Sequence, residues 1–216
     1  MNVEYFISKK LFSAKEKNNS YTRPILRIAI LAIAISVSVM LTSIMVVTGF
    51  KQDITSKIIG FGSHITITNF SNNKSYESDA ISLNQDFYSS LSLGNPEDIK
   101  SINAFATKAA IIKTSDEIHG VVLKGVSSNY DWNFFNDNLV AGEVLDLDSI
   151  VRSDDILISE EVSKLLKLDI SDNLIMYFIQ EPIRVRKFNI KGIYNTAMVD
   201  FDKLYVLGDI KHIQAL

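Results

Sequence analysis

The chain has 216 residues, no cysteine and a formal net charge of −3, and 47% of its residues are hydrophobic. Because cysteine is absent, disulfide bonds and thiolate catalysis are excluded. Beyond the N-terminal region the sequence is mildly acidic, and its basic residues are scattered without an aromatic-interleaved basic stripe, which argues against nucleic-acid binding.

Residues 1–24 are expected to form a cytoplasmic segment that contains an amphipathic helix. Phe6, Ile7, Leu11 and Phe12 share one side at helical spacing, and lysines lie between them. A helix of this kind lies flat on a membrane surface, with its lysines at the headgroups. A disordered tail is the alternative, but it would leave these large apolar side chains in water.

Residues 25–50 are expected to form a transmembrane helix. No charged residue occurs between Arg27 and Lys51, and the central residues 28–47 would extend about 30 Å, close to the thickness of the hydrocarbon core. Residues 1–27 carry six basic and two acidic side chains, whereas the rest of the chain carries 16 and 23. Because a basic excess stays on the cytoplasmic side, we expect a bacterial inner-membrane protein with a cytoplasmic N-terminus and residues 51–216 in the periplasm.

A cleaved signal peptide is the alternative interpretation of this apolar run. Signal peptides have shorter apolar regions, of about 7 to 15 residues, followed by small residues at a cleavage site. Here the run is longer, its basic leader is 27 residues long, and residues 48–53 read Thr-Gly-Phe-Lys-Gln-Asp. The pattern favours a retained anchor.

Small and polar residues within the span predict contacts with other membrane helices. Ser36, Thr42 and Ser43 would let helix backbones approach closely and could hydrogen-bond across the contact. Gly49 and Phe50 would join the span to the periplasmic part of the chain. These five residues are the candidate helix-packing and coupling sites, although small residues are common in any transmembrane helix.

Residues 51–216 are expected to form one periplasmic domain of the α+β class. Strands that alternate with short helices indicate this mixed architecture. Residues 48–59 should continue the membrane helix, which Gly60-Phe61-Gly62 ends. The predicted strands are 63–68, 99–114, 118–126, 156–158, 174–179, 184–194 and 205–207. The predicted helices are 83–91, capped by Ser82 or Asn84; 159–168, capped by Ser159 and buried through Val162, Leu165 and Leu166; and a final one capped by Asp209.

No pattern in the sequence indicates a catalytic, cofactor or metal site. The phosphate-binding G-x-x-x-x-G-K-[ST] loop is absent, so the chain should not hydrolyse ATP. His64, His119 and His212 lack metal-ligand spacing, and His64 is expected to be packed or hydrogen-bonded. The carboxylate pairs are interpreted as solvated surface groups: Asp154-Asp155, Glu160-Glu161 and Asp200/Asp202.

Several short motifs occur in a characteristic order: residues 6–11 (FISKKL), 48–50 (TGF), 60–65 (GFGSHI), 123–126 (LKGV), 141–143 (AGE), 156–175, 188–194 (FNIKGIY) and 200–206 (DFDKLYV). Together they resemble the N-terminal half of a MacB/FtsX-type ABC transporter permease and are most similar to the lipoprotein-releasing (LolC/LolE) branch. Trp132, Phe134 and Phe135 lie between two of these motifs and are expected to fill a core under a loop.

The resemblance implies a non-catalytic permease subunit with a periplasmic core domain of porter and sabre lobes, inserted between the first two of four membrane helices. Its implied partners are a cytoplasmic ABC ATPase, a second permease subunit, membrane lipid and a periplasmic lipoprotein carrier. ATP-driven movement would reach the periplasm through the membrane helices, a process called mechanotransmission. One span is present here, so we expect the chain to be the N-terminal portion, with its periplasmic domain incomplete at the C-terminal end.

Three alternatives stay open at this point. Within the family, a MacB-like efflux permease or an FtsX-like regulator of cell-wall enzymes would show much the same pattern. From another class, a single-span periplasmic binding or scaffold protein would also have a basic-flanked anchor.

The carrier-binding hairpin of LolC-type permeases would fall between Leu174 and Asn189, where residues 176–186 leave room only for a short turn.

Overall fold

A computed structural model of the protein describes residues 3–13, 22–70, 76–77, 79–82, 101–115, 117–148 and 150–216. The chain divides into two compact units, Met1–Ser56 and Lys57–Leu216. The described helices are α1 (Val3–Ser13), α2 (Thr22–Phe61), α3 (Asn133–Asp137), α4 (Glu160–Leu166), α5 (Val199–Asp202) and α6 (Ile210–Gln214). The described strands are β1 (Phe105–Lys113), β2 (Ile118–Val126), β3 (Leu139–Gly142), β4 (Asp155–Ser159), β5 (Asn173–Phe178), β6 (Arg184–Tyr194) and β7 (Tyr205–Asp209).

The first unit is helical. Both predicted helices are confirmed, and α2 ends at Phe61, as expected from the Gly60-Phe61-Gly62 sequence. The segment Pro24–Phe61 is long and apolar enough to cross a bilayer, judged by length and composition. The side chains described in α1 are exposed, and its position on a membrane surface stays a prediction.

The described strands of the second unit form a seven-stranded mixed sheet that closes on itself. Its strand order is β3-β6-β4-β7-β2-β1-β5, and β5 also pairs with β6. Six strands therefore form a ring, and β3 adds to β6 outside it. The β2–β7 and β4–β6 pairs are parallel, whereas the other pairs are antiparallel.

Side chains from every strand of the ring pack together in the larger of two apolar cores. Strand residues alternate between the two faces of a sheet, so one face of each strand can be wholly apolar. The central members of this core are Ile112, Leu123, Ile158, Met176, Phe188 and Val206. The second core lies on the opposite face of the sheet and contains Leu157, Leu207, Tyr194, Phe135 and Phe61.

Most of the predicted elements of the second unit are confirmed. Both hairpins form with antiparallel register. The Ser159 hydroxyl accepts a hydrogen bond from the Val162 amide at 3.1 Å, which caps α4. The Asp209 carboxylate accepts one from the Lys211 amide at 2.9 Å, which caps α6. Such caps satisfy amides that have no acceptor within the first helical turn.

The predicted strand 63–68 is wrong. Residues 63–70 are described without regular secondary structure, and Ser63 has a φ of 146°, which interrupts an extended run at its first residue. Phe70 is 97% exposed. A β-branched sequence becomes a strand only where another strand supplies hydrogen-bond partners, and among the described residues none pairs with this segment.

Two side-chain predictions are also wrong. Leu165 is predicted on the buried face of α4 but is 47% exposed, because that helix is short and buries only Val162 and Leu166. Asp202 is predicted to be solvated but is buried. His64 is exposed and therefore not packed, and its hydrogen bonding stays a prediction. The predicted helix 83–91 lies outside the described residues.

His212 in α6 is a buried titratable group in the larger core. Its Nε2 lies 2.8 Å from the Ser153 carbonyl oxygen and 3.2 Å from an Asp154 carboxylate oxygen, and its ring packs on Phe188. Donation from Nε2 to the carbonyl leaves Nδ1 as an unprotonated buried atom, for which the described residues supply no partner. Burial lowers the pKa of His212, and the charge of Arg152 adds to that effect.

We therefore predict that the folded state loses stability as the pH falls through the ordinary pKa of histidine. The unfolded chain binds the proton more readily than the folded chain, so the free energy of unfolding decreases on acidification from about pH 7.5 to 5.5. Denaturant unfolding monitored by circular dichroism at several pH values measures this slope.

A His212→Gln variant is the matched control, since its amide can still donate to the Ser153 carbonyl but does not titrate. Between about pH 7.5 and 5.5, the free energy of unfolding of this variant should change less steeply with pH than that of the wild type. The buried Asp202 cannot account for the loss, because a raised carboxyl pKa stabilises the folded state as the pH falls. Equal slopes in the two proteins would contradict the prediction.

Candidate functional site

The five predicted coupling residues all lie on α2 in the first unit. Ser36, Thr42, Ser43, Gly49 and Phe50 are exposed along this helix. The Thr42 hydroxyl donates to the Ser38 carbonyl oxygen at 2.9 Å, so this polar side chain is satisfied within its own helix. Their contacts with other membrane helices stay a prediction.

A second group of residues, which the sequence analysis did not bring together, surrounds the C-terminal end of α2 within the second unit. We call this group the helix-end joint. It consists of Gly60, Phe61, Phe105, Lys124, Tyr130, Phe134, Phe135, Phe201 and Tyr205.

Phe61 is the apolar centre of the helix-end joint. It is the last residue of α2 and is only 4% exposed. Its ring makes edge-to-face contacts with Phe135, Phe201 and Tyr205 at centroid distances of 5.8, 5.3 and 5.2 Å. Aromatic pairs in this geometry contribute about 0.5–1.5 kcal/mol each beyond the burial of their surface. The end of α2 is thus held by ring packing.

Lys124 is the polar centre of the helix-end joint. It lies on β2, is 6% exposed, and donates from Nζ to the backbone carbonyl of Phe61. The ammonium lies 4.8 Å from the centroid of the Phe61 ring. Two further rings, those of Tyr130 and Phe105, lie 5.9 and 6.0 Å away. The cation is therefore held by a carbonyl oxygen and by aromatic faces.

The position of Lys124 suits the chemistry of a helix end. The last carbonyl groups of a helix have no intrahelical donor and carry partial negative charge. The Gly62 amide satisfies the Ile58 carbonyl at 2.8 Å, and Lys124 satisfies that of Phe61. Burial lowers the pKa of Lys124 to about 8. Holding the charged ammonium there at neutral pH therefore destabilises the folded state.

Gly60 allows α2 to approach α3 closely. A Cβ atom at this position would lie 2.2 Å from Cδ2 of Phe134, well inside van der Waals contact. Only glycine fits this approach without displacing the ring. From the sequence, Gly60 was assigned only to the end of the helix, because the residue it meets is 74 positions further along the chain.

A polar cluster below α4 holds the Asn195–Met198 loop. The Asp202 carboxylate accepts from the Thr196 amide at 3.1 Å and from the Thr196 hydroxyl at 2.7 Å, and the Ser159 hydroxyl donates to the Asp202 carbonyl. Burial raises the pKa of Asp202. Its hydrogen bonds are all to backbone or hydroxyl groups of the fold, so its role is structural. Within the described ranges no cluster of three or more His, Asp or Glu residues could hold a metal ion.

The short turn predicted for residues 176–186 is present between β5 and β6. Beside it lies an open apolar cleft of about 470 Å³. Its walls are Ile111, Lys113, Ile118, Tyr177, Phe178, Ile179 and Ile183. Several of these side chains are exposed to solvent, among them Ile179 and Ile183.

Sequence comparison places residues 27–213 within the model of one family, described as the MacB-like periplasmic core domain. The lipoprotein-releasing system transmembrane protein LolC of Buchnera aphidicola subsp. Schizaphis graminum is 25% identical over 201 residues. The match covers 89% of this chain and 47% of that protein, so the chain spans about half the length of this curated relative.

Two solved structures are similar to about half of the chain. The extracellular domain of the noncanonic ABC-type transporter YknZ from Gram-positive bacteria gives a TM-score of 0.40 at 14% identity, over 54% of this chain and 58% of that one. The periplasmic region of MacB from Actinobacillus actinomycetemcomitans gives 0.38 at 15% identity, over 53% and 50%. Both similarities are partial, and the sequence match carries the assignment.

We predict that Gly60→Ala destabilises the second unit. Overpacking against the Phe134 ring should cost about 1–3 kcal/mol, which exceeds the gain of about 1 kcal/mol from replacing glycine with alanine in a helix. Denaturant unfolding of the full chain in detergent, monitored by the fluorescence of the single tryptophan, measures the change.

Gly120→Ala is the matched control, because a Cβ there would meet no atom of the described residues within 4 Å. This variant should unfold within about 0.5 kcal/mol of the wild type. If Gly60→Ala were as stable as Gly120→Ala, the close approach of α2 and α3 would be disproved.

Proposed function

The chain belongs to the MacB-like periplasmic core domain family, and on that basis we propose that it acts as a permease subunit of an ABC transporter that releases lipoproteins from the inner membrane. The observation that carries the proposal is the extent of the family match, which includes both the apolar part of α2 and the β domain. The choice of lipoprotein release over other cargo is supported by the LolC relative.

In the proposed mechanism the chain contributes movement, not chemistry. A separate cytoplasmic ATPase hydrolyses ATP, and a second permease subunit completes the membrane part. Residues 25–50 cross the inner membrane, the N-terminal segment lies on its cytoplasmic face, and residues 51–216 work in the periplasm. Movement passes along α2, which extends from Thr22 to Phe61, and enters the β domain at the helix-end joint.

The candidate packing residues have distinct proposed roles in this mechanism. Ser36, Thr42 and Ser43 contact neighbouring membrane helices, where small side chains permit close approach. Gly49 and Phe50 join the span to the periplasmic part of the chain. A periplasmic lipoprotein carrier is a proposed partner of the assembled transporter; the turn between β5 and β6 is too short to suggest a hairpin that hooks it.

We predict that depletion of the protein in its native bacterium causes outer-membrane lipoproteins to accumulate in the inner membrane, and that the wild-type gene restores their release. Density-gradient separation of the two membranes, with immunodetection of a lipoprotein, measures this. Normal lipoprotein sorting with increased drug sensitivity would instead favour MacB-like efflux. A cell-division or cell-wall defect would favour FtsX-like regulation. Normal lipoprotein sorting, drug sensitivity and cell-wall growth would together favour a periplasmic scaffold.

The same strain tests the coupling residues. Ser36→Leu and Gly49→Leu should reduce release while the protein level in the membrane is unchanged. A Cβ at residue 49 would meet no atom of the described residues within 4 Å, so the helix itself has room for a side chain at this position. Val37→Leu, which enlarges an already apolar neighbour, is the control and should behave as wild type. Full release by both bulky variants would contradict these roles.

A further inference from the structure

We propose that Lys124 is the positioning residue that fastens the last turn of α2 to the β-sheet. The ammonium does this by joining the terminal carbonyl of α2 to β2, which pairs with a strand on each side. The inference deepens the proposed function and rests on it where transport is the readout, whereas the fastening itself can be measured on the chain alone.

The route of the connection supports this role. Lys124 lies two residues from the C-terminal end of β2, between Thr107 of β1 and Leu207 of β7 in the strand register. Its side chain extends from this position to the carbonyl of Phe61, and its ammonium lies over the ring of the same residue. One side chain therefore holds both the backbone and the side chain of the helix terminus. A displacement of the last turn must break both contacts.

The free-energy cost of this arrangement is a second argument. A buried ammonium is more costly than an apolar side chain of similar size, because its hydration is lost and only partly replaced. A methionine would fill the same volume among the rings without that cost, although it would leave the Phe61 carbonyl without a donor. The charge thus adds little to global stability, and its local effect on α2 distinguishes it from an ordinary core residue.

Hydrogen exchange of the full chain in detergent micelles tests the fastening. In Lys124→Met, we expect the amides of residues 58–62 to exchange at least about tenfold faster, as expected for the loss of one charge-assisted hydrogen bond. Exchange in β4 and β7 should be unchanged, and the global unfolding midpoint should not fall. Lys187→Met removes an exposed lysine from the same unit and should leave residues 58–62 as in the wild type.

Two results would overturn the fastening role. One is unchanged exchange at residues 58–62 in Lys124→Met. The other is faster exchange throughout the sheet with a lower unfolding midpoint, since an ordinary core residue would have that effect. Should Lys124→Met fail to fold, Lys124→Gln provides the second test: it removes the charge above the Phe61 ring and shortens the side chain, and the same local increase in exchange is expected.

Lipoprotein release in the depleted strain tests the consequence for transport. Lys124→Met should be present in the membrane at normal levels and should lose release, whereas Lys187→Met should restore it. If the last turn loosens but release is normal, the positioning role is overturned and the proposed function stands. If the wild-type gene itself fails to restore release, the proposed function fails, and the exchange measurement still decides whether Lys124 fastens the helix.

Discussion

The burial of Phe61 at the end of α2 is the contact on which the rest of this structure depends. An apolar helix that continued into water would end in exposed carbonyl groups and a free aromatic ring. Here the ring enters the second core of the β domain, and the Lys124 ammonium satisfies the terminal carbonyl. Gly60 gives the helix the close approach to Phe134 that this packing requires. The last turn of α2 is thereby packed against the sheet as well as covalently joined to it.

Most helices and strands could be predicted from the sequence because residues close together in the chain determine where these elements begin and end. The two hairpins follow from alternating apolar runs separated by turn residues, and Ser159 and Asp209 were identified as caps from their positions before short helices. The prediction of a strand at residues 63–68 is wrong because a strand-like composition also needs a neighbouring strand as hydrogen-bond partner, and no described strand pairs with this segment. The prediction that Leu165 is buried is wrong because α4 has only two turns, and Leu165 lies on the side of this short helix that faces solvent.

The helix-end joint could not be predicted in the same way. Phe61 and Lys124 are 63 positions apart in the sequence. From the local sequence, Phe61 is interpreted as a helix terminus and Lys124 as a polar residue in a strand. The burial of Asp202 was missed for a similar reason, since it depends on the return of the Asn195–Met198 loop. The family resemblance contained these residues within its motifs but assigned them no role. Their importance comes from long-range packing, which a single sequence does not reveal.

The account as a whole requires that α2 stays in the membrane and holds the β domain on the periplasmic side. The absence of cysteine allows a direct test, because a single introduced thiol reports its own location. In intact cells, a membrane-impermeant maleimide should label Lys203→Cys in the membrane-bound, full-length protein, and Ser8→Cys only after permeabilisation. Labelling of Ser8→Cys in intact cells, protection of Lys203→Cys, or recovery of the labelled domain without α2 would contradict the account.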